Sequence, residues 1–324
     1  MFRKVVLIML GMVLALSGCS SSQSTDEALI RIRLPMGYIP NIQYAPFYVA
    51  VEKGYFRDAG IEIEFDYKFE TDGVALVGAG ELPFAIVSGD QVLLARAQGL
   101  PVTYVAAWYQ QYPVSVIAKS ELGVVIPQDL KGKKIGLPGL FGANYIGLRA
   151  LLDAGELSES DVTLDAIGFN QVELMAAGEQ DIIVGYAANE PIQLRAQGIT
   201  VTELRVAEYA QLASNGLLAS EKVIAENPEL VRAFIGAFLK GLADTIEVPN
   251  DGFTSSESYI PNFADLDSGV QRQVLRISIG QWQTERLGYS DPQAWENMQD
   301  VLLEMGLLTE KMDLSKAFTN EFIP

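Results

Sequence analysis

The sequence predicts an α/β protein of two lobes joined by a two-strand hinge. Three observations carry that reading. Short apolar strands alternate with helical stretches along residues 30–107 and again from residue 135 onward, the spacing of βαβ units in a parallel sheet. The length, 324 residues, exceeds what one hydrophobic core usually serves. Two apolar runs, VSVIA at 114–118 and GLLA at 216–219, bracket the second alternating region and read as the strands that cross between lobes. The expected order is therefore discontinuous: lobe 1 from 29–115 plus 216–324, lobe 2 from 116–215.

Each element follows from its local pattern. Residues 30–34 alternate apolar and basic side chains as a half-buried strand does, and 46–54 read as a helix closed by Gly54. IEIEFDY at 61–67 alternates again. The loop FETDG leads to a helix of small residues at 74–80, a buried strand at 84–87, a helix at 89–98 ended by Gly99, and a strand at 102–107. In the second unit, a strand at 135–137 runs into a glycine-rich turn and a helix at 144–152. Strands follow at 161–166 and 182–184, with a helix at 171–177 between them. After Asn227-Pro228, where proline opens a helix, the chain reads as mostly helical to Met312 and is expected to return to lobe 1.

The N-terminal residues are set apart from the fold. Arg3 and Lys4 precede an apolar run at 5–16 too short to span a bilayer, followed by Ser17, Gly18 and Cys19, so 1–18 read as a signal peptide. Leu16-Ser17-Gly18-Cys19 resembles the bacterial lipobox, which implies lipidation at Cys19, the single cysteine of the chain, and anchoring on the extracytoplasmic face of the cell membrane. Residues 19–28 then read as the lipidated cysteine and a flexible polar tether.

Composition narrows the function. At 49% hydrophobic and 20% charged the chain is globular. Its formal charge of −18 becomes −20 once residues 1–18, with Arg3 and Lys4, are removed, which argues against nucleic acid and anionic lipid as partners and against a large anionic ligand. Histidine is absent, which excludes Ser-His and Cys-His nucleophilic sites and histidine-based metal centres. No catalytic residue, metal or cofactor is expected, and the protein reads as a monomer.

Parallel sheets bind ligands at the carboxyl ends of their strands. Those ends are 37–44, 69–73, 88–91 and 108–112 in lobe 1. In the first, Tyr38 and Tyr44 offer ring faces for stacking and Asn41 a donor and an acceptor, whereas Tyr48, Tyr55 and Phe56 read as packing. Asp72 suits either a ligand N–H or hydroxyl, or the cap of the next helix. Ser88 and Gly89 suit a close backbone approach. Trp108 and Tyr109, with Tyr112 nearby, suit a flat pocket wall, or in the case of Trp108 a buried spacer between lobes. In lobe 2, the turn GLFGANY presents Asn144 and Tyr145 at a helix start; no lysine closes it and GxGxxG does not occur, so a nucleotide loop is excluded. GYAANEP places Tyr186 and Glu190 in the analogous position, with Glu190 alternatively facing water.

GYIPN followed by YAPFYVAVEKGYF, then AGIEIE, ETDG, LKGKKIGLPG, ENPELVRAF and the closing AFTNEFIP resemble bacterial ABC-importer binding proteins related to those for thiamine pyrimidine precursors. The resemblance spans nearly the whole chain after residue 28. It implies the type II periplasmic-binding-protein fold, a ligand cleft lined by the turn at 37–44, and an ABC permease as partner. It also implies a vitamin-like heteroaromatic ligand, either riboflavin or a formylated aminopyrimidine. The aromatics at the loop ends, Tyr38, Tyr44, Trp108, Tyr109 and Tyr112, suit the broader flavin ring, which is the expectation taken forward. Two readings of another class predict no such uptake: a secreted hydrolase using paired carboxylates, and an interaction protein docking a partner through its acidic face.

Overall fold

Strand pairing begins where the sequence alternation is cleanest. In the computed structural model, which describes residues 28–324, β1 (Ile30–Pro35) runs parallel to β2 (Ile61–Asp66) with Ile30 opposite Ile61. The expectations for the signal peptide, Cys19 and the tether up to residue 27 lie outside the described residues. Between these strands stand α1 (Ala45–Glu52), with Pro46 in its first turn, and α2 (Tyr55–Asp58), separated by Gly54 at φ 77°. There follow α3 (Glu70–Gly78), β3 (Phe84–Val87), α4 (Gly89–Ala97) and β4 (Val102–Ala107).

Strands β1 and β2 form a two-stranded sheet of their own, and the chain next builds a five-stranded one. It comprises β5 (Val114–Lys119), β6 (Lys134–Leu137), α5 (Gly142–Ala154), β7 (Thr163–Ala166), α6 (Gln171–Ala176), β8 (Ile182–Tyr186), α7 (Glu190–Ala196) and β9 (Val201–Arg205). The five strands lie in the order β7-β6-β8-β5-β9, with β6 parallel to β7 and β8, and β5 antiparallel to β8 and β9. Strand β9, VTELR, falls outside the sequence reading because its central positions are polar and half-buried on an edge. On returning, the chain lays β10 (Gly216–Ser220) between β3 and β4, antiparallel to both.

The apolar runs thus have a different cause from the one the sequence suggested. Strand β5 lies wholly in the five-stranded sheet and β10 wholly in the three-stranded sheet β3-β10-β4; each is buried along almost its whole length because it has a strand on either side. The crossings between lobes lie just ahead of these strands, at 108–113 and 206–215. Gly216 is pinned where it stands: a Cβ there would sit 2.1 Å from Tyr104 Oη and 2.2 Å from Ala106 O.

The remaining helices, α8 (Glu221–Glu226), α9 (Pro228–Glu247), α10 (Pro249–Ser256), α11 (Ser268–Trp282) and α12 (Pro292–Glu304), back the first lobe. Asn227 caps α9 by accepting from Leu230 N–H. Helix α9 packs closely on α1 because Gly241 admits the backbone of Pro46, where a Cβ would come within 2.2 Å of Pro46 O. Phe47 stacks on Phe238 at 4.5 Å and Phe84 on Phe234 at 4.2 Å, fixing the core beneath the sheet. The closing segment returns to β4, with Tyr104 N–H donating to Ala317 O and Phe318 stacked on Trp295 at 5.0 Å. Among the described residues no helix is long and apolar enough to cross a membrane.

Candidate ligand-binding site

Strand ends of both lobes face a common cleft. Its atom-free space, including the part open to solvent, is about 760 Å³. Lobe 1 contributes the stretch after β1, the start of α3, and Trp108 and Tyr109 after β4. Lobe 2 contributes the starts of α5, α6 and α7 and Tyr186 at the end of β8.

The turn after β1 owes its shape to two residues. Gly37 sits at φ 79°, and a Cβ there would also lie 2.7 Å from Glu70 Cγ, so glycine is required on both counts. Asn41 accepts from Gln43 N–H at 2.9 Å, capping the short turn that carries Tyr44. Tyr44 donates its hydroxyl to Met36 O at 2.6 Å, and its ring lies 5.5 Å from Trp108 at an interplanar angle of 31°. Trp108 is held in turn by Phe47, Tyr109 and Trp282. The result is a stiff aromatic wall, buried in the lobe 1 core.

Opposite it the rim is assembled across the lobes. Phe69 of lobe 1 meets Phe141 edge-on at 5.2 Å and lies 4.8 Å from Phe169, which receives the edge of Tyr38 at 4.7 Å. Such pairs contribute about 0.5–1.5 kcal/mol each beyond the area they bury, so this cluster favours the closed arrangement. Polar links also cross: Tyr38 Oη donates to Glu190 Oε1 at 3.4 Å and Asn41 Nδ2 to Asn189 Oδ1 at 3.3 Å.

Two carboxyl groups face the cleft. Glu70 Oε2 accepts from Ser88 Oγ at 2.6 Å and Ser88 N–H at 3.1 Å, and Oε1 accepts from Asn215 Nδ2 at 3.1 Å. Burial, and then the charge of Asp90, push its pKa up to about 7, against the pull of those donors. Glu190, 3% exposed, accepts from Tyr186 N–H at 2.7 Å and Asn189 Nδ2 at 3.1 Å; burial raises its pKa too. Two more polar atoms of lining residues, Trp108 Nε1 and Asn144 Oδ1, are buried without a protein partner. Gln43, 5% exposed, instead spends its amide on Tyr109 Oη and Ser278 Oγ.

Of the residues singled out in the sequence, Tyr38, Tyr44, Trp108, Tyr109, Asn144, Tyr186 and Glu190 line this cleft. Five do not. Asn41 is consumed by its cap and its bond to Asn189. Asp72 is exposed in the first turn of α3, where a carboxylate complements the helix dipole. Ser88 lies beneath Glu70 and orients it. Gly89 serves packing, since a Cβ there would come 2.4 Å from Ala213 Cβ. Tyr145 turns away from the cleft, its hydroxyl donating to Glu159 at 2.6 Å and accepting from Arg149 at 2.7 Å. Tyr112 is likewise internal, bonded to Ala143 O at 3.0 Å.

The residues the sequence reading passed over are Phe69, Glu70, Phe141 and Phe169, with Gln171 and Asn215. Most of them stand at or one position before a helix start. That position was the available signal. Among the described residues no group of three or more Asp, Glu, Cys or His side chains is placed to hold a metal ion.

Residues 41–251 match the family described as NMT1/THI5 like. The chain belongs to that family. Within it, the riboflavin-binding protein RibY of Chloroflexus aurantiacus is 43% identical over 96% of this chain and 95% of its own length. The formylaminopyrimidine-binding protein of Halalkalibacterium halodurans is 27% identical over 98% of both chains. The NMT1/THI5-like relatives also include enzymes: the 4-amino-5-hydroxymethyl-2-methylpyrimidine phosphate synthase of Legionella pneumophila is 23% identical over 91% of this chain and 92% of its own. In structure, the alkanesulfonate-binding protein SsuA of Xanthomonas axonopodis pv. citri, bound to MOPS, superposes with a TM-score of 0.72 at 16% identity, covering 90% of this chain and 98% of that one. The fold is therefore the two-lobed type II periplasmic-binding-protein fold.

Proposed function

We propose that this chain is the extracytoplasmic substrate-binding component of an ABC importer, tethered through a lipidated Cys19, and that it captures riboflavin. It delivers the ligand to a permease without chemistry of its own. The observation that carries the reading is the aromatic wall of Tyr44, Trp108 and Tyr109 facing a rim of Tyr38, Phe69, Phe141 and Phe169 drawn from both lobes. A flat ring between them touches both lobes at once, so it binds the closed state better than the open one, which is all that closure requires. The 43% identity with a protein named for riboflavin, over nearly the whole chain, supports the same ligand.

A formylated aminopyrimidine is the second reading, favoured by the relative of that name. The extent of the aromatic surface favours the tricyclic ring. Against an enzymatic role stand the absence of histidine and a cleft whose carboxyl groups are already engaged by Ser88, Asn215, Tyr186 and Asn189.

Titration of the purified protein with riboflavin, followed by quenching of flavin fluorescence and by calorimetry, tests this, with the formylated aminopyrimidine as comparator. Saturable one-to-one quenching is expected. Heat from the pyrimidine alone would transfer the assignment to the second reading.

A further inference from the structure

Given the reading of the cleft as a flavin site, its charges also determine what the ring can carry. Glu70 is the first residue of α3, and Ser88, which immediately precedes α4, gives its N–H to that carboxylate at 3.1 Å. An N–H at a helix start is a natural partner for a ligand phosphate. Here it is taken by an anion of the chain itself. On the other lobe Glu190, the first residue of α7, takes the N–H of Tyr186 at the end of β8, at 2.7 Å. Asp90, fully buried, stands behind Ser88 and adds its charge.

Nothing on the cleft surface offsets this. None of the twenty lining residues is lysine or arginine. Arg149, farther along α5, is engaged by Glu159 at 2.8 Å. The start of α5 does face the cleft with no acid in its first turn, but a helix end presents only about half an elementary charge, against two carboxyl groups. The rim of Tyr38, Phe69, Phe141 and Phe169 closes over both lobes, so a charged substituent on an enclosed ligand meets these carboxylates in a medium that screens poorly.

We infer that Glu70 and Glu190 make the cleft selective for the unphosphorylated ring compound and exclude its phosphate and sulfate esters. The same carboxylates accept hydrogen bonds from hydroxyl and N–H groups, so a neutral polyhydroxyl chain is welcome where its phosphate ester is not.

The test is a paired titration of the purified full chain with riboflavin and riboflavin 5′-phosphate at one salt concentration and at pH 8.5, above the raised pKa of Glu70, so that its carboxylate is ionised. The ester is expected to bind on the order of 100-fold more weakly, and a ratio under about tenfold overturns the inference. Glu70→Gln and Glu190→Gln, each checked for native near-ultraviolet circular dichroism, are expected to shrink that ratio by about tenfold; a ratio unchanged in both variants removes the assignment to these carboxylates. The wild-type ratio decides on selectivity even where a variant fails to fold. If riboflavin itself does not bind, the functional reading falls, and this inference with it. If riboflavin binds and its ester binds comparably, only the inference falls.

Discussion

Lobe 1 brings Tyr44, Trp108 and Tyr109 to the cleft from within its own core, each no more than 5% exposed, whereas lobe 2 brings Phe141, 42% exposed, and the half-buried Phe169 from the starts of α5 and α6. One side of the cleft is therefore part of what folds the lobe, and its shape exists before closure. The other is completed only when Phe69 and Tyr38 reach Phe141 and Phe169 across the gap. The difference implies that mutations on the two sides separate stability from affinity.

The largest expected effect lies on the preformed side. Trp108→Ala removes a ring packed against Tyr44, Phe47, Tyr109 and Trp282. It should destabilise the protein by about 3–5 kcal/mol in urea unfolding and abolish ligand binding. A variant of wild-type stability would break the comparison.

Glu70 gives the next effect. Its folded pKa of about 7 lies above the ordinary 4.5, so the folded state holds the proton more tightly. The stability tied to that proton is fully present below pH 4.5 and is lost as pH rises through 7. Relative to Glu70→Gln, the wild type should lose about 3 kcal/mol over that window. Asp90 faces the same site through Ser88, so the midpoint belongs to the pair. A stability difference independent of pH between 4.5 and 8 would show that Glu70 is charged throughout.

On the assembled side, Phe141→Ala should weaken ligand binding about tenfold while changing unfolding free energy by less than about 1 kcal/mol, because the residue is 42% exposed. A loss of stability without a loss of affinity would reverse the roles assigned to the two sides. The smallest effect is expected at Tyr145→Phe, since its hydroxyl faces Glu159 and Arg149 outside the cleft. Affinity should change less than about twofold, near the noise expected for a position remote from the ligand.

The legible and illegible parts of the molecule divide along physical lines. Strand Ile61–Asp66 announces itself through period-two alternation, Phe84–Val87 as a short continuous apolar run, and the Asn227-Pro228 start of α9 through its cap. Strand β9 is missed because an edge strand with polar side chains carries little periodic signal. In the site, Tyr38, Tyr44, Trp108 and Tyr186 are readable because they are aromatics beside a strand end. Asn41 and Tyr145 look equally suitable and are not at the cleft, because neighbours distant in sequence, Asn189 for one and Glu159 for the other, claim their polar groups.

The sequence by itself determined the α/β class, the strand ends from which a cleft is built and, by leaving out histidine, what chemistry is unavailable; these rest on local pattern and residue type. Only the tertiary structure decided that β5 and β10 are inner strands of separate sheets and that Phe69, Phe141 and Phe169 meet. It alone showed that Glu70 is held by Ser88 and Asn215. Those partners are 18 and 145 residues away from Glu70 in the chain, and no local pattern encodes contacts that exist only once distant segments have folded together.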